Sequence, residues 1–117
     1  MNNKPKYHLF KNTKYALEGL IHAIKTESSF RLELFCSIFI IIGIVFIDTS
    51  LTNKLILLVT GIMVLIIELL NSAIENIVDL VTKEIHPLAK SAKDIGATAV
   101  MFSIILHATC WIVVLVL

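Results

Sequence analysis

The chain has 117 residues, of which 57% are hydrophobic and only 16% charged, where a soluble domain carries about 25% charged residues. Ten basic and nine acidic residues leave a net charge of +1, which excludes a strongly basic nucleic-acid binder. The length allows one domain, and the composition excludes both an ordinary soluble enzyme and a charge-rich disordered chain.

Residues 1–6 are expected to be disordered. Over 7–29, Leu9, Phe10, Leu17, Leu20, Ile21 and Ile24 recur at helical steps, with Lys11, Lys14, Glu18, His22 and Lys25 largely between them. This predicts an amphipathic helix lying in the membrane interface, its lysines near anionic headgroups. Residues 1–30 hold five lysines and no continuous apolar core, unlike a secretory signal peptide.

Three apolar runs follow: Leu32 to Ile47 broken by Glu33, Leu55 to Leu70 with Glu68 near its end, and Ala97 to Leu117 with His107 inside. With their flanks they reach the ~20 residues that cross a ~30 Å hydrocarbon core. They predict membrane helices over about 31–48, 53–79 and 92–116. The fold class is an all-α membrane protein: one integral-membrane domain over 1–117, with three transmembrane helices and an N-terminal interfacial helix. Nine of the ten basic residues fall on one side of these spans and only Lys54 on the other. The positive-inside rule then makes the N-terminus cytoplasmic and the C-terminus external. Cys36 and Cys110 lie inside apolar segments and read as packing residues.

The second span carries the chemistry. Glu68, Asn71, Glu75 and Asp79 are spaced three, four and four apart, which places them within an arc of roughly 80°. A carboxylate in hydrocarbon costs about 2.5–3.5 kcal/mol, and three on one face repel one another. A divalent cation with hard oxygen ligands, such as magnesium, would offset this. So would shared protons, or pairing with Lys93 or Lys90. A polar seam that only joins helices is the bland alternative, favoured for Asn71 and Ser72 taken alone.

Two further clusters share that side. Glu27 and Glu33 flank Phe30-Arg31, where Glu27 could complete a metal site begun by Glu75, and Arg31 could pair with Glu33 or bind phosphate. In the loop Lys83 to Asp94, Pro87 favours a turn or helix start. Lys93 stands where it could meet phosphate as a point charge, whereas Lys90 reads as a snorkelling, topology-setting lysine. Ala92, Gly96, Ala99 and Ser103 form a small-residue packing seam. His107 is expected to be hydrogen-bonded in a helix interface. These residues fit a lipid-modifying phosphotransferase, and equally a proton- or cation-conducting subunit. A non-catalytic adaptor would leave the acid stripe unexplained.

The run Glu68-Leu69-Leu70-Asn71-Ser72-Ala73-Ile74-Glu75, with Asp79, Ala92-Lys93-Asp94, and Glu27 followed by Phe30-Arg31 and Glu33, closely resembles the signature of the small prokaryotic integral-membrane diacylglycerol kinases. The resemblance covers nearly the whole chain. It implies a homotrimer in a bacterial inner membrane, with active sites between subunits at the cytoplasmic surface. There the γ-phosphate of ATP passes to diacylglycerol, giving phosphatidic acid, with magnesium as cofactor.

By the same resemblance Glu68 is the general base, and Glu27 and Glu75 hold the magnesium–nucleotide. Asn71 orients the groups, Lys93 contacts the transferring phosphate, and Asp94 contacts the nucleotide, as do Tyr15, Glu84 and His86. Arg31, Glu33, Glu68 and Ala97 match the lipid-substrate site. Two positions depart from the pattern: Ala97 stands where a serine is expected, and His8 where an arginine is expected. His86-Pro87-Leu88-Ala89-Lys90 looks more like the Gram-positive relatives that act on undecaprenol. Phe30-Arg31, Glu33 and Asn71-Ser72-Ala73 look more like the diacylglycerol enzymes, and diacylglycerol is the favoured substrate.

Overall fold

The computed structural model describes residues 8–117, with four helices and no strand among them. They are α1 (Leu9–Thr26), α2 (Ser28–Phe46), α3 (Leu51–Val81) and α4 (Pro87–Val116). The segment expected to be disordered, and the first residue of the expected interfacial helix, lie outside the described residues.

Local chemistry sets each boundary. Helix α1 ends where Glu27 turns extended, at φ −105° and ψ 102°. The carbonyls left open there are taken by Arg31, whose Nη1 donates to Ile24 O (2.9 Å) and Lys25 O (3.0 Å), a tertiary cap on groups the helix cannot satisfy itself. Helix α2 therefore starts at Ser28, three residues before the expected 31. Ser50 caps α3 by accepting from the Asn53 N–H (3.1 Å). Pro87 occupies the first turn of α4, whose N-cap His86 accepts from the Leu88 N–H at Nδ1 (3.1 Å). That start precedes the expected 92, because hydropathy marks only the greasy part of a longer helix.

Lengths decide the layout. At 1.5 Å per residue α2 is roughly 28 Å long, α3 roughly 46 Å and α4 roughly 45 Å, against a ~30 Å hydrocarbon core. All three are long and apolar enough to cross a membrane, and the chain is a multi-pass membrane protein. Helices α3 and α4 overshoot the core. Glu27 Oε1 accepts from Asn76 Nδ2 (3.4 Å), so the α1–α2 hinge stands beside residue 76, and the ends of α3 and α4 project past it. This end of the bundle is the α1 side.

Helix α3 is central. A third (33%) of its most apolar stretch is buried, against 11% in α2 and in α4, so the outer two leave most of their surface to lipid or to other chains. The buried face of α3 is Leu57, Thr60, Val64, Glu68, Asn71 and Ser72. It meets Gly96, Ser103 and His107 of α4, and Phe30 and Ile44 of α2 are buried against the bundle. The small-residue seam is corrected at one position. Ala99 is exposed and Val100 takes the inward place, since a 96, 100, 103, 107 repeat keeps the contact line straight between two long helices. Gly96 makes room for Asn71, whose Oδ1 a Cβ there would displace. The apolar side chains of α1 (Leu9, Phe10, Leu17, Ile21) stay uncovered by the chain.

Candidate active site on the acidic face of α3

The acid stripe and the packing face of α3 are the same face. Glu68 is only 5% exposed and Asn71 6%, while Glu75 and Asp79 are half-buried further along. The periodicity that hides Leu57 and Val64 therefore also hides the carboxylate, so Glu68 is held inside the helix interface.

Four carboxylates converge here. Glu75 and Glu27 are close enough to Glu68 for their charges to repel it, and Glu33 feels Glu68 in turn. Glu33 lies six residues into α2 from Glu27, roughly 9 Å, and Glu68 lies eight residues from Asn76, roughly 12 Å. The two thus sit at similar depth on facing helices. Asn71 Nδ2 donates to Glu75 Oε1 (2.7 Å), fixing that carboxylate. Asn71 Oδ1 and Glu33 Oε2 are buried with no hydrogen-bond partner, and the Glu68 carboxylate makes no hydrogen bond among the described residues. Asn71 Oδ1 is packed against Gly96, so the free-energy penalty that a ligand can relieve lies with the carboxylates.

At the α1 side the charges pair. Lys93 Nζ meets Asp79 Oδ1 at 2.6 Å, tying the start of α4 to the end of the stripe. The pairing expected as one way of offsetting the acids therefore falls on Asp79. Lys90 Nζ meets Asp94 Oδ2 at 2.6 Å, one turn apart on the same helix and exposed, a geometry that contributes little stability.

Arg31 makes no ion pair with Glu33 among the described residues; its Nη1 caps α1. His86 uses Nδ1 as the N-cap of α4. Tyr15, Glu84 and Ala97 are exposed on α1, the α3–α4 connection and α4, and bond to none of the four acids among the described residues. Asn76 was missed by sequence reasoning. It lies off the stripe and gains meaning only from the hinge that brings Glu27 to it.

Comparison with known proteins follows the same residues. The sequence pattern of the prokaryotic diacylglycerol kinase family matches residues 14–115. The chain belongs to this family. A diacylglycerol kinase of Haemophilus influenzae is 35% identical over 104 residues, covering 89% of this chain and 88% of that protein. One of Pseudomonas aeruginosa is 35% identical over 103 residues, covering 88% and 84%. One of Escherichia coli K12 is 33% identical over 107 residues, covering 92% and 88%. In this prokaryotic diacylglycerol kinase family member, the match takes in the whole acidic face of α3 and its partners Glu27, Glu33 and Lys93.

His107, expected in a helix interface, is buried at 8% exposure. Trp111 Nε1 donates to its Nε2 (3.1 Å), so the ring proton sits on Nδ1 and is donated to Thr60 Oγ1 (2.8 Å). Thr60 passes its own proton to Ile56 O (2.9 Å). Every polar atom of this cluster is used.

Proposed function

We propose that this chain is an ATP- and magnesium-dependent lipid kinase that transfers the γ-phosphate of ATP to diacylglycerol. The observation that carries the reading is Glu68: a carboxylate buried at the level of the lipid chains, without a hydrogen bond among the described residues, below an acidic and basic cluster that opens on the α1 side. Such a group accepts the proton of a hydroxyl arriving from the bilayer. As that proton moves to Glu68, the lipid oxygen bonds to the γ-phosphorus, the bond to the β–γ bridging oxygen breaks, and ADP leaves with the electron pair. Little covalent chemistry is asked of the protein beyond this, so positioning and charge neutralisation dominate.

Glu75 and Glu27 are the groups suited to hold magnesium with the nucleotide. Among the described residues there is no set of three acid, His or Cys side chains arranged around one point. That suits an ion that takes one or two carboxylates and fills its octahedron with phosphate oxygens and water. Bound there, magnesium would neutralise phosphate charge. Asn71 keeps Glu75 in place, and Lys93, steered by Asp79, presents its ammonium to the transferring group. Asp94 stands one residue on, with Tyr15, Glu84 and His86 as further nucleotide contacts on the same side.

The bare apolar faces of α2 and α4 support assembly as a homotrimer, with neighbouring subunits completing each site. The α1 side faces the cytoplasm of a bacterial inner membrane, with α1 lying in the interface. An ion-conducting role finds no support, because Thr60, His107 and Trp111 close the polar face on themselves toward the opposite side. The test is a transfer assay in mixed micelles with γ-labelled ATP, offering diacylglycerol and undecaprenol side by side. Labelled phosphatidate as the main product supports the reading. Preferential labelling of undecaprenol moves the substrate within the family, and no labelled lipid overturns the kinase reading.

A further inference from the structure

Of the four converging acids, Glu27 is the one that stands outside a helix, at the break between α1 and α2. Its main chain is fixed from both sides. The Glu27 N–H donates to Ala23 O (2.9 Å), and its carbonyl accepts from the Arg31 N–H (3.1 Å). Arg31 Nη1 adds the cap on Ile24 O and Lys25 O. The side chain is held by something else. Its hydrogen bond among the described residues comes from Asn76 Nδ2, which donates to Oε1 at 3.4 Å.

Glu75 is held in the same manner, by Asn71 Nδ2 donating to its Oε1 at 2.7 Å. Each acid thus gives Oε1 to a neutral amide carried by α3, and no hydrogen bond takes Oε2 among the described residues. Asn76 follows Glu75 directly in α3, so the tie to Glu27 starts beside the other acid. Both acids stand near enough to Glu68 to repel it. An amide turns a carboxylate without cancelling its charge, whereas an ammonium would compete with a cation for it. The nearby ammonium groups are used elsewhere, Lys93 on Asp79 and Lys90 on Asp94. Carboxylates that hold a metal are aimed by such outer hydrogen bonds.

We propose that Asn76 is a positioning residue of the magnesium–nucleotide site, turning the Glu27 carboxylate toward Glu75 so that both acids can hold one ion. The proposal rests on the lipid-kinase reading. The bond is long and exposed, so it adds little to the fold. What it sets is the direction of a side chain whose backbone is already fixed.

The test compares Asn76→Leu, close in shape and free of a donor, with Asn76→Gln, which keeps the amide. Leucine also favours a helix more than asparagine does. Mn2+ affinity is read by electron paramagnetic resonance on the full-length protein with a non-hydrolysable ATP analogue, beside KM for Mg·ATP and for diacylglycerol. Asn76→Leu should weaken Mn2+ binding and raise KM for Mg·ATP, each about tenfold, the low end for loss of an outer hydrogen bond to a metal ligand. KM for diacylglycerol should stay within about twofold, and Asn76→Gln should recover most of the Mn2+ affinity. Wild-type Mn2+ affinity in an assembled Asn76→Leu protein overturns the proposal, as does an Asn76→Gln protein as weak as Asn76→Leu. An equal rise in both KM values, or loss of assembly by size-exclusion chromatography, overturns it by assigning Asn76 to the fold. A wild type that labels no lipid overturns the kinase reading instead.

Discussion

The α3–α4 pair carries two buried polar clusters, and they are built on opposite terms. Toward the side away from α1, Thr60, His107 and Trp111 satisfy one another completely. On the α1 side, Glu68 and Asn71 are equally deep and Glu33 of α2 is half-buried beside them, yet Glu33 Oε2 has no partner, and Glu75 and Glu27 bring the like charges to four. Both clusters cost desolvation. The first recovers it inside the protein and so reads as glue between helices. The second recovers it only when something else arrives, so it reads as a site. Hydrogen-bond satisfaction, more than burial or residue type, separates the two.

That contrast can be broken at several points. The largest effect is expected from Glu68→Gln, which removes the proton acceptor. Turnover should fall by about 10³ in a phosphate-transfer assay, within the range for general bases. Next is Gly96→Ala, whose new Cβ must displace Asn71 and with it Glu75. Turnover should fall about 10², the scale of an ångström-level misplacement, with helix content by circular dichroism preserved. Asp79→Asn frees Lys93 from its partner. KM for ATP should rise about tenfold, the scale of losing roughly 1.4 kcal/mol of ground-state positioning, while KM for the lipid stays put. The smallest effect belongs to the closed cluster: Thr60→Val strands the His107 ring proton and should cost about 1 kcal/mol of stability in denaturant melts.

Much of this was legible in the sequence because helical periodicity and hydropathy are local. The 68, 71, 75, 79 spacing fixed the stripe, and three greasy runs fixed the spans. What escaped depends on chain reversals. The cap that Arg31 places on α1 shows only once Glu27 turns extended and brings the carbonyls of Ile24 and Lys25 to it. Asn76 reads as a bystander until the same hinge delivers Glu27. The cap that His86 Nδ1 places on α4 shows only once Pro87 starts a helix that needs one. The expected seam chose Ala99 over Val100 because small size outweighed geometry in that reading. In the folded pair the line of contact decides.

The account is tested most directly by measuring turnover and thermal midpoint together for Glu68→Gln and Thr60→Val in one detergent preparation. Glu68→Gln should lower phosphatidate formation about 10³-fold and leave the midpoint unchanged or raised, since one of four repelling acids is gone. Thr60→Val should lower the midpoint and leave turnover within about twofold of wild type, as for mutations away from the reacting groups. A Glu68→Gln protein that still phosphorylates diacylglycerol, or one that loses activity only by failing to fold, would contradict it.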